Sequence, residues 1–305
     1  MDISIKKPTT ALREAEVRVR NLVGMHVPAD PRRGYTDRME ALSGSLLVGY
    51  KEGHRPSSPN RAMLVAGANR AQQIIRKAND QFAGICFLRK KESQLMQDIL
   101  ATHFKLIAGD DGGGTLDSNV VNQRLRLKKI LQTDRRTVIE KIRRAMLSIS
   151  FHLNTGIYLI DIDADHRDIK SGKGVDPANA DHGTLGYVSA EKTSLDPMTW
   201  RAASFRWSSG ITCGFRHGEI HVPLGRATEF TDISLAQLII HEATHKYLNT
   251  DDEAYANDPD YLNLDLTESL NNADSYAWAA VSLYCKAVKA ATPALAAADD
   301  FQCTK

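Results

Sequence analysis

The pentapeptide His241-Glu242-Ala243-Thr244-His245 holds the side chains with the clearest chemistry in this chain. On a helix, positions i and i+4 lie one above the other on one face, so two imidazoles at that spacing converge on a single metal ion. Glu242 stands beside that face, where a carboxylate can take a proton from a metal-activated water and pass it to a leaving amine. These residue types at this spacing are those of a zinc hydrolase with one catalytic Zn2+. The same five letters also arise by chance, and histidines one turn apart are often plain surface residues. The positioning helix and a third ligand therefore decide the matter.

The helix is well supported. From Ser234 to Leu248 the apolar residues Leu235, Leu238, Ile239, Ala243 and Leu248 recur at helical spacing, which predicts one flank buried against a core. Ser234 followed by Gln237 fits a capping box at its start. A catalytic zinc takes three protein ligands and leaves a fourth position for water, so a further acid or histidine is needed downstream. Asp251, Asp252, Asp258 and Glu268 are the candidates. His221, in an alternating segment, reads as a strand histidine facing solvent.

Residues 249 to 256 read Asn-Thr-Asp-Asp-Glu-Ala-Tyr-Ala, and here the chain resembles the deuterolysin-type metalloendopeptidases, or aspzincins, which include the fungal peptidyl-Lys endopeptidases. Their pattern after HExxH is GTxDxxYG. It is met at Thr250, Asp252 and Tyr255, while Asn249 and Ala256 replace its two glycines. The resemblance implies that Asp252 is the third zinc ligand and that Tyr255 donates a hydrogen bond to the oxyanion of the tetrahedral intermediate. Asn272-Ala273-Asp274-Ser275-Tyr276 matches the NADSY segment of the same proteins, in the same order along the chain. In peptidyl-Lys members an acidic pair around this segment forms the pocket for the substrate's lysine. This chain keeps Asp274 and has Ala277 where the second acid would stand. Asp274 is thus expected either to bind substrate or to brace a zinc-bound histidine, as the outer partners of metal ligands do. Glu268 lies near the spacing of a gluzincin ligand, but that assignment leaves Thr250, Asp252, Tyr255 and the second motif without a role.

The family also implies a strand beside the active helix onto which extended substrate is added by backbone hydrogen bonding. Gly218 to Leu224 alternates and stops at Pro223, as an edge strand does, and Thr184 to Ala190 resembles the strand that pairs with it. The resemblance covers residues 60 to 290. Its specific parts are the helix, DxxY and NADSY.

A composition of 42% hydrophobic and 25% charged residues is that of a globular protein with a substantial core. No run approaches the roughly 18 apolar residues of a membrane span, so integral membrane contact is not expected. The N-terminal Met-Asp-Ile-Ser-Ile-Lys-Lys-Pro lacks an apolar signal region. Secretion or delivery by a route that reads no N-terminal signal, as for a bacterial effector or toxin, is the expectation, with a cytoplasmic location left open. Cys86, Cys213, Cys285 and Cys303 allow two disulfides or four free thiols.

Residues 1 to 150 carry 27 Lys and Arg against 15 Asp and Glu, whereas residues 151 to 305 carry 12 against 22, so the halves should attract. Arg124, Arg126, Lys128, Lys129, Arg135, Arg136, Lys141, Arg143 and Arg144 make a basic run. Its helical apolar spacing, through Val138, Ile139, Ile142, Met146 and Leu147, and its lack of interleaved aromatics favour a solvated helix face over a nucleic-acid surface.

Along the chain, residues 1–60 read as an N-terminal extension or small helical module, with helices at Thr10 to Val23 and near Thr36 to Leu47. Residues 61–305 read as the metalloendopeptidase domain, with a helical part at 61–150 and a sheet and zinc-helix part at 151–305. Four helical segments are expected in the former, interrupted by a glycine turn at Gly109 to Gly114. Gly156 to Asp163 reads as a strand, with solvated loop acids Asp165 and Asp168 after it, and Trp200 and Trp207 flank a segment that lines the cleft. One long helix is expected over residues 264–291. The fold class is α+β, zincin-like, mainly helical with a small antiparallel sheet beside the active helix. The expected partner is a protein or peptide substrate, with no nucleic acid, and a monomer rather than an obligate oligomer. Two other readings remain: a non-catalytic zinc-containing binding protein, and an effector acting through the basic N-terminal half.

Overall fold

A computed structural model describes residues 38–50, 52–88, 91–106, 135–161, 186–188, 205–206, 212–213 and 220–288. The expected helix at Thr10 to Val23, the glycine turn, the basic residues 124–129, Asp165, Asp168, Trp200 and Trp207 lie outside them. So does any fourth helical segment between residues 107 and 134.

The chain is mainly helical with a small sheet. Helix α1, Ser58–Cys86, begins where Ser57 accepts from Asn60 N at 3.4 Å and Pro59 occupies the first turn, both good starts for a helix. Leu64, Ala68, Ala71, Ile74, Ile75, Ala78 and Phe82 recur on one face and are fully buried. The small residues on that face let other helices approach. A Cβ on Gly67 would lie 2.6 Å from Leu235 Cδ2. Against α1 pack α3, Arg135–Thr155, α4, Asp232–Leu248, and α6, Ala273–Cys285, while α2, Gln94–Phe104, packs on α6. Asp232 at the start of α4 pairs with Arg70 of α1 at 2.7 Å, joining the basic and acidic halves.

The sheet has the order β1-β2-β3-β7-β4, with β1 at Arg38–Ala41, β2 at Leu46–Tyr50, β3 at Ile157–Asp161, β4 at Tyr187–Val188 and β7 at Ile220–Val222. Strands β5, Phe205–Arg206, and β6, Thr212–Cys213, form a separate pair. The main sheet is mixed rather than antiparallel, because β2 pairs parallel to β3 and β3 parallel to β7. From β2 to β3 the chain runs through α1, α2 and α3 before re-entering the sheet, and such a crossover returns it in the same direction. Leu159 points into the helical core, while Tyr158 and Ile160 pack with Leu47 in a second cluster.

Several expectations are corrected. The segment Thr36 to Leu47 is no helix: its described part forms the β1–β2 hairpin, turned at Ser43-Gly44-Ser45, and β2 is held by its register with β3. Gly218 to Leu224 yields β7, which pairs on both sides, so among the described residues β4 and not β7 is the outer strand at that end of the sheet. His221 on β7 is buried, 2% exposed, not solvent-facing. The capping box of α4 is formed by Thr231 and Ser234, not by Ser234 and Gln237. The long final helix is broken at Asn272 into α5, Leu266–Asn271, and α6. On α3, Arg135 and Arg143 are buried and paired with Glu92 and Glu140, while Leu147 faces outward at 43% exposure.

Candidate metal centre

Helix α4 sets the two histidines. Its N-terminus is closed by reciprocal bonds, Ser234 N to Thr231 Oγ1 at 3.1 Å and Thr231 N to Ser234 Oγ at 2.8 Å. Its C-terminus is closed by Asn249 in the left-handed conformation (φ 56, ψ 39), whose N–H donates to His245 O. That backbone geometry suits Gly best and Asn next, so Asn249 fills a position that glycine also fits.

The chain then turns back past its own helix and places Asp252 over the imidazoles. Asp252 Oδ1 lies 3.1 Å from His241 Nε2 and 3.1 Å from His245 Nε2, and the two Nε2 atoms are themselves 3.1 Å apart. Donors bound to zinc at about 2.0–2.1 Å in a tetrahedron stand about 3.3 Å apart, so the triangle fits such an ion. Tautomer chemistry sharpens the point. His245 Nδ1 faces the carbonyl of Thr250 at 2.8 Å, which can only accept, and His241 Nδ1 faces the Asp274 carboxylate at 2.7 Å. Each Nδ1 therefore carries the hydrogen, and in the neutral rings both Nε2 lone pairs point at each other and at a carboxylate oxygen. Three acceptors meeting without a donor call for a cation.

The electrostatics agree. Burial by itself would lower the pKa of His241, but hydrogen bonds to Asp252 and Asp274 and the charges of Asp274 and Glu242 outweigh it and hold the pKa well above the ordinary value. Burial would raise that of Asp252, and the two histidines overcome it, holding the carboxyl far below the usual range.

Glu242 is buried beside this centre, 2% exposed, and its charge acts on both His241 and Tyr255. Tyr255 is half exposed. Its ring stacks on His241 with centroids 6.0 Å apart, and its hydroxyl donates to Asp252 Oδ2 at 3.3 Å. Burial, with the Asp252 charge, pushes its pKa up to about 12, so it remains a donor.

Asp274 is 4% exposed and both its oxygens are engaged. Oδ1 accepts from His241 Nδ1 and from Gln237 Nε2 at 3.1 Å, and Oδ2 accepts from Ala256 N at 2.7 Å. Of its two expected roles, this geometry supports bracing His241 over contacting substrate. Ala277 is fully buried. The competing candidates are engaged elsewhere: Glu268 exchanges hydrogen bonds with Asp265 at the start of α5, Asp258 caps a short 3-10 helix, and the Asp251 carboxylate accepts from Asn271 Nδ2 at 3.3 Å. Among the described residues, His241, His245 and Asp252 are the one group able to hold a metal ion.

Three supporting residues carry little signal in the sequence. Thr244 donates to His241 O at 2.8 Å and shares a hydrogen bond with Thr250 Oγ1 at 2.8 Å. Gln237 steadies Asp274. Asn272, fully buried, accepts from Glu253 N and Ala254 N and donates to Ala254 O, clamping the loop that carries Asp252. Only Asn272 could have been singled out, by its place in the NADSY segment.

A comparison with known protein families finds no matching family, and a comparison with characterised proteins finds no match. The resemblance to aspzincins rests on the residues quoted for it.

Proposed function

We propose that this protein is a zinc-dependent endopeptidase with an aspzincin-like site on a zincin-like fold. The observation that carries the reading is the meeting of His241 Nε2, His245 Nε2 and Asp252 Oδ1 at 3.1 Å, each histidine having spent its Nδ1 hydrogen elsewhere. These three residues would hold the ion. Zinc in such a site polarises the scissile carbonyl and brings the pKa of water towards neutrality.

The chain's own residues do the rest. Glu242 takes the proton of the attacking water and delivers it to the departing amine. Tyr255, kept protonated, donates to the developing oxyanion. Asp274 holds the His241 ring in orientation and tautomer. Strand β4, antiparallel to β7 at the sheet edge, offers backbone groups to an extended peptide. The substrate is accordingly an unfolded or extended protein segment.

Cys285 is disulfide-bonded, which supports work in an oxidising compartment and hence delivery outside the cell. Among the described residues no helix is long and apolar enough to cross a membrane.

The test is elemental analysis of protein purified without chelator, paired with digestion of a denatured protein and sequencing of the new N-termini. About one zinc per chain together with new N-termini supports the reading. Zinc without cleavage would favour a non-catalytic zinc-containing binding protein, and absence of zinc would defeat both.

A further inference from the structure

Gly186, immediately before β4, lies against the Glu242 carboxylate. A Cβ built there would stand 2.6 Å from Glu242 Oε1, 3.1 Å from its Cδ and 3.0 Å from Leu238 Cδ1. Side-chain carbons do not approach so closely. The φ of Gly186 lies outside the left-handed region that calls for glycine, in contrast to Gly53 at +86. Glycine at 186 is therefore explained by space and not by backbone conformation.

The neighbours that would be struck differ in their freedom. Leu238 belongs to the buried flank of α4, and the Glu242 backbone is fixed in the same helix, so the carboxylate is the part able to give way. The close approach also sets how far the edge strand stands from the base. A methyl at 186 points at Glu242, not along the outer edge of β4.

Resting on the endopeptidase reading, we infer that Gly186 is a positioning residue for the reaction: its missing side chain lets the substrate-pairing strand sit directly on the general base and holds the Glu242 carboxylate at its working place. Adding one methyl displaces the base and leaves the peptide-binding edge and the three metal ligands untouched.

The experiment compares wild type, Gly186→Ala, Glu242→Asp and the double variant as zinc-loaded full-length chains. Zinc content, thermal midpoint, kcat and KM are measured on a peptide cut by wild type, with calorimetric binding of a reduced-amide analogue of it. Gly186→Ala is expected to lower kcat at least about tenfold, with one zinc retained, KM and analogue affinity within about twofold, and the midpoint unchanged. Aspartate is one methylene shorter and makes room for the methyl. In the Glu242→Asp background, then, adding Gly186→Ala should cost less than about twofold. Wild-type kcat in Gly186→Ala, equal losses in both backgrounds, or loss of zinc or folding in Gly186→Ala would each overturn the inference while leaving the endopeptidase reading intact. Absence of cleavage by the wild type would overturn that reading and this inference with it.

Discussion

Asp274 accepts a hydrogen bond from His241 Nδ1 at 2.7 Å, joining two buried residues 33 positions apart. Through this bond α6 orients an imidazole carried by α4. The carboxylate fixes the tautomer that leaves Nε2 free for a metal and raises the basicity of the ring.

Asp274→Asn is expected to weaken zinc binding about 10- to 100-fold, the usual consequence of losing such an outer partner. Competition with a chromophoric chelator reads it directly. Unchanged affinity would mean that helix geometry alone orients His241.

Glu242→Gln should retain one zinc per chain and lose about 10²- to 10⁴-fold in kcat, since the amide cannot take a proton. Zinc content and turnover on the same preparation check this. Retained turnover would remove Glu242 from its role as base.

Asn272→Asp keeps an oxygen for Glu253 N and Ala254 N but turns its other oxygen on the carbonyl of Ala254, to which Nδ2 now donates at 2.9 Å. A buried pair of acceptors costs about 1–3 kcal/mol. The expected outcome is a lower midpoint in chemical denaturation and weaker zinc binding, because the disturbed loop carries Asp252. If stability fell without any change in zinc affinity, the loop would not transmit the strain.

Glu140 provides a pH dependence away from the metal. Hydrogen bonding from Arg143, opposed by partial burial and aided by Arg144 and Cys86, lowers its pKa from 4.5 to about 2. A carboxyl depressed on folding contributes stability that is fully present above its unfolded value and lost as pH falls through the folded one. Between about pH 4.5 and 2 the wild type should therefore lose this contribution, and Glu140→Gln should show a shallower acid decline in thermal midpoint. Parallel declines would show that the ion pairs with Arg143 and Arg144 add nothing measurable.

Gly67→Ala sets two effects in opposition. Alanine favours a helix interior by about 1 kcal/mol, but its methyl would stand 2.6 Å from Leu235 Cγ and Cδ2, and overpacking costs about 1–3 kcal/mol. Because Leu235 is itself fully buried and cannot swing away, a net loss of stability is expected in urea denaturation. A gain would show that α1 and α4 can separate slightly at no cost.

Helix α4 and the side chains gathered on it were legible in the sequence because they are local. His241, Glu242 and His245 lie within a turn and a half of one helix, and helical spacing is written into the apolar residues around them. Asp252 and Tyr255 were within reach because the loop follows the helix at once and its Thr250, Asp252 and Tyr255 resemble the aspzincin pattern. The α+β composition was legible for the same reason, each element having its own periodicity. What could not be read was whatever depends on residues distant in the chain. Residues 38–50 became a hairpin because β3 offered β2 a partner, and the sheet came out mixed because, among the described residues, α1, α2 and α3 intervene between β2 and β3. The final helix broke at Asn272 because the side chain there is claimed by the loop of Asp252. Which of its two expected neighbours Asp274 meets depends on how α6 packs on α4, and the contact of Gly186 with Glu242 depends on how β4 lies against the same helix. Local sequence determined which side chains could do the chemistry. The tertiary structure alone decided what holds them, since hydrogen bonds and close packing act between neighbours in space, whatever their separation along the chain.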